Sequence, residues 1–242
     1  IARDAAAALE AFLDANHETV AALIVEPLVQ CASGMVTYDA SYLSRARELC
    51  THYGVHLIAD EIMTGFGRTG TMFACEQAGI APDLMLLSKG ITGGFLPLAC
   101  VLASDAIYDA FYDDDAARGF LHSHSYTGNP LACSAALAVL DIFRGDAVIE
   151  ANRSRAARWD SLAAPLASHP KVRNFRRCGM IVAFEVGSGR ADFARWCFAE
   201  GIARGILLRP IGRTVYLMPP YVIADDEFAL LVDRTCEIVD VA

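Results

Sequence analysis

Two lysines, Lys89 and Lys171, stand among the twenty basic residues, and arginine supplies the rest. Lys89 follows the apolar run Leu84-Met85-Leu86-Leu87-Ser88 and precedes Gly90. An amine in apolar surroundings is costly as an ammonium, because desolvation favours its neutral form. The neutral amine is also the form that attacks a carbonyl to make a Schiff base. Position alone leaves a second reading open, a lysine at a strand end whose head snorkels to water.

Asp60, twenty-nine residues earlier, ends a similar run, Val55-His56-Leu57-Ile58-Ala59, and is followed by Glu61. Both runs have strand length, with Tyr53-Gly54 before the first and Gly90-Ile91-Thr92-Gly93-Gly94 after the second. Their continuous apolarity fits parallel strands covered on both faces. Open parallel sheets bind ligands at the carboxyl ends of their strands, so Asp60 and Lys89 are expected to converge on one crevice. An acid that keeps a pyridine ring protonated and a lysine in imine linkage are the two groups that pyridoxal phosphate chemistry asks of a protein. The alternative for Asp60-Glu61 is a solvated strand end or helix cap.

The segment Ala59-Asp60-Glu61-Ile62-Met63-Thr64-Gly65-Phe66-Gly67-Arg68-Thr69-Gly70, with Ser88-Lys89-Gly90-Ile91-Thr92-Gly93-Gly94, resembles the class III, fold-type-I pyridoxal phosphate aminotransferases. Three further stretches narrow the likeness: Phe73-Ala74-Cys75-Glu76, the run from His122 to Cys133, and the run from Arg209 to Tyr221. They are similar to the branch of that family that aminates 8-amino-7-oxononanoate in biotin biosynthesis, with S-adenosylmethionine as the usual donor. The resemblance covers about Leu23 to Tyr221. It implies an α/β fold of fold type I, here the carboxyl-terminal part of a large, mostly parallel-sheet domain followed by a small α+β domain. Family chains extend further on the amino-terminal side, and this sequence opens on Ile1 rather than methionine. The resemblance thus implies a carboxyl-terminal part, with the phosphate cradle, the ring-stacking aromatic and the amino-terminal pocket aromatics preceding Ile1.

The same resemblance assigns roles. Lys89 carries the cofactor and then serves as acid and base, Asp60 partners the ring nitrogen, and the reaction is ping-pong transamination. Ser125 presents a hydroxyl to the cofactor phosphate of the partner subunit in a homodimer with shared sites, with His124 and Ser123 beside it. Arg209 binds the substrate carboxylate, for which a planar guanidinium offers two parallel hydrogen bonds. Tyr216 takes part in recognising the oxononanoate, and Arg68 lies near the site as a supporting or donor-recognition residue. Read without the family, the 122–128 loop is an anion-binding or ordinary capping segment before a helix. Arg209 is then a surface ion-pairing residue and Tyr216 a strand aromatic. His122 and His124 alternate, but two histidines without a third ligand make no metal site.

Composition narrows the partners. Hydrophobic residues make up 55% of the 242, enough for a sizeable core, yet no apolar run approaches the roughly 20 residues that span a bilayer. A net charge of −9 argues against nucleic acid and anionic membranes as partners, and the resemblance implies small molecules as substrates. The eight scattered cysteines form no CxxC pair and read as reduced thiols of a cytoplasmic protein, with no targeting peptide visible.

The patterning predicts helices over Ala5–Asn16, Ser41–Tyr53, Leu131–Phe143, Ala147–Leu166, Asp192–Glu200 and Asp225–Val239. Strands are predicted over Ala21–Leu28, the two runs before Asp60 and Lys89, Leu98–Ser104, around Val172, and over Ile181–Val186, Ile206–Arg209 and Val215–Met218. In the family the Leu98–Ser104 strand is antiparallel to its neighbours. The pattern changes near Gly145, dividing the chain into residues 1–145 and 146–242. Asp113-Asp114-Asp115 reads as a solvated loop. Two other functions stay open: a different class III ω-amino acid aminotransferase, and an inactive truncated dimerisation module.

Overall fold

A computed structural model describes residues 2–242. In chain order the first elements are α1 (Ala2–Asn16), β1 (Ala22–Val25), β2 (Val29–Gln30), β3 (Val36–Thr37), α2 (Ala40–Tyr53) and β4 (His56–Asp60). They are followed by β5 (Leu84–Leu87), β6 (Cys100–Ala103), α3 (Asp105–Phe111), α4 (Pro130–Gly145), α5 (Val148–Leu162) and α6 (Ala164–Ala167). The last are β7 (Val172–Cys178), β8 (Ile181–Val186), α7 (Phe193–Ala203), β9 (Thr214–Leu217) and α8 (Asp225–Asp240). Among the described residues no helix is long and apolar enough to cross a membrane.

The chain divides into two compact units, one of residues 1–28, 38–66 and 71–148, the other of 29–37, 67–70 and 149–242. Segments 29–37 and 67–70 lie on the first side of the sequence boundary at 145/146 but belong to the second unit.

The first unit is built on a four-stranded sheet in the order β1-β4-β5-β6. β1, β4 and β5 run parallel and β6 is antiparallel to β5, the direction the resemblance implies. Leu57 and Leu23 pack with Leu13, Leu49 and Cys50 of α1 and α2, while Leu87 and Met85 pack with Ala136, Leu140 and Phe143 of α4. Those strand residues share one face of the sheet, since parallel partners in register point the same way. The alternate residues Ile24 and Val101 are both 57% exposed on the other face. Among the described residues, the helices that pack on this sheet, α1, α2 and α4, lie on the first of these faces. α2 begins at Asp39 rather than at the predicted serine. The Asp39 carboxylate accepts the Ser41 amide, and Gly54 ends the helix in the left-handed region (φ 67).

The second unit contains the antiparallel sheet β7-β8-β9, covered by α5, α6, α7 and α8. Its centre is Trp159 stacked on Phe228, with ring centroids 3.8 Å apart and planes within 3°. The predicted helix Ala147–Leu166 breaks into α5 and α6. Pro165 has no amide proton to continue the ladder, and it sits instead in the first turn of α6. The predicted strand Ile206–Arg209 is irregular. β8 already has a partner on each edge, and the Ile206 amide donates to Gly201 O, closing α7. The two-residue hairpin β2-β3 escaped prediction because it is too short to show a period.

Removing the large ring from the second unit should leave a cavity that its neighbours cannot fill. Trp159→Ala is expected to cost about 3–5 kcal/mol, measured as a lower urea midpoint with an unchanged slope.

Candidate active site

Strand register brings the two candidate residues to one edge. Ala59 pairs with Met85 and Asp60 with Leu86, so Asp60 ends β4 beside the last residues of β5. The Glu61 amide donates to Leu86 O at 3.0 Å and extends that pairing by one bond. Lys89 then stands three residues beyond Leu86, at the start of a 3-10 turn over Lys89–Thr92. Ser88 holds the strand exit by donating from Oγ to Leu98 O at 2.8 Å.

Asp60 is half-buried, and its Oδ1 accepts the Ile62 amide at 3.0 Å. Among the described residues no arginine, lysine or histidine pairs with it. Lys89 is exposed rather than buried. Its backbone turns into the left-handed region (φ 43), ending the apolar strand one residue after Ser88 instead of continuing it. Among the described residues its amine has no hydrogen bond or ion pair. Lys171, by contrast, donates to Asp240 O at 2.8 Å and Ala242 O at 3.0 Å. Of the two lysines, only Lys89 has its Nζ free for chemistry.

The 120–129 segment is exposed and held by its own short bonds. The His124 amide donates to Thr127 Oγ1 at 3.0 Å, and the Tyr126 amide donates to His124 Nδ1 at 3.1 Å. Asn129 caps α4 by accepting the Leu131 and Ala132 amides at 2.9 and 3.3 Å, with Pro130 in the first turn. Ser88, His122, Ser123 and His124 all line one cavity of about 910 Å³. Ser125 is exposed beside it and does not line it. Asp113 and Asp115 of the acidic triplet serve locally, Asp113 pairing with Arg118 at 2.8 Å and Asp115 capping a 3-10 turn.

Three candidate residues lie in the second unit. Arg68 is half-buried, and desolvation lowers its pKa from the usual guanidinium value. It donates to Pro219 O at 2.9 Å and stacks 4.4 Å from the Tyr221 ring centroid. Gly179 permits this segment's approach, since a Cβ there would lie 2.5 Å from Arg68 O. Arg209 is exposed and makes no ion pair among the described residues. Tyr216 is half-buried on β9, opposite Ala183.

Residues 2–239 match the family model described as aminotransferase class-III. The chain is 45% identical to the adenosylmethionine-8-amino-7-oxononanoate aminotransferase of Helicobacter pylori, over 96% of this chain and 55% of that protein. The protein of the same name from Synechococcus elongatus is 43% identical, with 98% and 56% covered. The chain belongs to the class-III aminotransferase family. Its fold matches the crystal structure of adenosylmethionine-8-amino-7-oxononanoate aminotransferase from Methanocaldococcus jannaschii with a TM-score of 0.90 at 34% identity, covering 96% of this chain and 56% of that one. The omega transaminase from Pseudomonas jessenii, solved in complex with PMP, matches with a TM-score of 0.91 at 29% identity, covering 99% and 55%. This class-III chain thus spans about half the length of the curated relatives it matches.

Sequence reasoning passed over the contact that shapes the Lys89 turn. Phe66, itself at φ 56, packs so closely on Gly90 that a Cβ there would lie 2.8 Å from Phe66 Cβ. Phe66 is held in turn by the rings of Phe73 and Phe143 at 5.8 and 6.2 Å. Glycine directly after the lysine was the available signal. Gly90→Ala should destabilise the class-III chain by about 1–3 kcal/mol through overpacking. Phe66→Ala removes two of the three atoms nearest that Cβ, so in a double-mutant cycle of thermal melts the Gly90→Ala cost should be smaller in its background.

Proposed function

We propose that this chain supplies the lysine and the ring-partner acid of an aminotransferase that converts 8-amino-7-oxononanoate to 7,8-diaminononanoate, with S-adenosylmethionine as donor and pyridoxal 5'-phosphate as cofactor. The observation that carries the reading is the pairing of β4 with β5, which sets a free Asp60 carboxylate and a free Lys89 amine at one sheet edge. That donor set fits the cofactor, because a half-buried carboxylate without a counter-ion suits a protonated pyridine nitrogen. Pyridoxal phosphate, when bound, supplies an aldehyde that links amines and a ring that takes up electrons.

Lys89 Nζ would hold the cofactor between turnovers, and as a free amine it would take and return the proton at the donor's α-carbon. Asp60 keeps the proton on the ring nitrogen. Arg209 grips the substrate carboxylate, Tyr216 shapes the oxononanoate pocket and Arg68 supports donor recognition. Ser125, with His124 and Ser123, serves the cofactor phosphate of a second copy, so that the enzyme is a homodimer with shared sites. The exposed Phe120, Leu121, Tyr126 and Leu131 around that loop support such a partner, being 68%, 89%, 74% and 71% exposed. All eight cysteines are free, which supports a reducing, cytoplasmic setting. Small molecules, rather than nucleic acid or membrane, are its partners. Curated relatives at 43–45% identity favour this substrate over the omega-amine reading, which rests on the match at 29%.

Borohydride reduction of the cofactor-loaded, full-length protein should place the pyridoxyl group on the Lys89 peptide in mass mapping. Labelling at Lys171, or at neither lysine, would refute the proposal. Arg209→Ala should raise KM for 8-amino-7-oxononanoate about 10- to 100-fold, the loss of a charge-assisted pair, while leaving cofactor loading intact. Mixing full-length Ser125→Ala and Lys89→Ala variants should restore activity through hybrid dimers. No recovery despite proven subunit exchange would return Ser125 to the site of its own subunit.

A further inference from the structure

Glu61 follows Asp60 directly and has no part in the chemistry above, yet it is the more deeply buried acid, at 0% exposed. Its carboxylate is held by neutral groups. Thr64 Oγ1 donates to Oε2 at 2.6 Å and the Cys75 amide donates to Oε1 at 2.8 Å. Burial first, then the charge of Glu61, pushes the Cys75 thiol well above its ordinary range. The main chain of Glu61 is equally engaged. Its amide donates to Leu86 O and its carbonyl accepts the Gly65 amide, both at 3.0 Å. Gly65 makes that turn possible, since a Cβ there would lie 2.8 Å from Glu61 O.

A buried acid without a counter-ion contributes little stability that an apolar side chain of similar size would not. What this one does is close the chain from residue 61 to residue 75. Asp60 depends on that closure, because the one hydrogen bond its carboxylate makes among the described residues comes from the Ile62 amide, inside the turn that Glu61 fixes. Phe66, which covers Gly90 beside Lys89, sits in the same loop.

We propose that Glu61 is a positioning residue whose hydrogen-bonded clasp on Thr64 and Cys75 orients the Asp60 carboxylate and steadies the Lys89 turn. Its consequence for turnover rests on the transamination reading. The clasp acts through hydrogen-bond geometry, so glutamine can replace it: the amide oxygen accepts from the Cys75 amide, and the amide nitrogen donates to the Thr64 hydroxyl, which can act in either direction.

The test uses the full-length protein with Thr64→Val, Thr64→Ser, Glu61→Gln and Glu61→Ala. Thr64→Val keeps the branched shape and removes one donor, so it reports even where Glu61→Ala fails to fold. Amide hydrogen exchange at Ile62 and Cys75, measured without cofactor, should accelerate in Thr64→Val but stay at the wild-type rate in Thr64→Ser and Glu61→Gln. With cofactor, kcat of Thr64→Val should fall about tenfold, as expected for a misplaced reacting group, with donor KM unchanged. Wild-type exchange and kcat in Thr64→Val would overturn the proposal, as would a Glu61→Gln variant as impaired as Glu61→Ala. A wild-type protein unable to transaminate would refute the transamination reading instead, and the cofactor-free exchange rates would still decide the clasp.

Discussion

Parallel pairing of β4 with β5 is the constraint on which the first unit depends. Two parallel strands in register end on the same edge, so the residue that closes one and the residue just past the other must be neighbours. Asp60 and Lys89 occupy those two places. An antiparallel pairing would send one of them to the far end of the sheet. The same geometry explains the turns that follow. Each strand leaves the edge sharply, β4 through the Glu61–Gly65 turn and β5 through the left-handed Lys89.

Burial in the first unit is correspondingly one-sided. α1, α2 and α4 pack on the face that carries Leu57, Met85 and Leu87, while Ile24 and Val101 stand open on the other. The second unit has its own closed core around Trp159, Phe184 and Phe228, covered on its sheet by helices from its own segments. The short stretch 67–70 belongs to that unit, where Gly179 admits it against the β7-β8 turn and the Met180 amide donates to Arg68 O at 2.9 Å.

Much of this was legible in the sequence because local rules carry it. Apolar runs of strand length marked β4 and β5, Asn129-Pro130 marked the start of α4, and the acid and lysine at the ends of the two runs marked the edge proposed to hold the site. What was not legible depends on contacts between distant residues. The exposure of Lys89 follows from a backbone turn, whereas the apolar neighbours suggested burial. Glu61 read as an ordinary companion of Asp60, since Cys75, fourteen residues away, becomes its partner only in the folded chain. Ile206–Arg209 has the composition of a strand, but the Ile206 amide is taken by Gly201 O, which closes α7.

The central claim is that Asp60 holds the proton of the cofactor ring. Nitrogen NMR of full-length protein loaded with pyridoxal phosphate labelled at the ring nitrogen measures it directly. A protonated ring nitrogen in the wild-type protein, with the proton lost in Asp60→Ala at the same pH, is the result predicted. An identical nitrogen shift in both proteins would show that Asp60 faces elsewhere and would contradict the account.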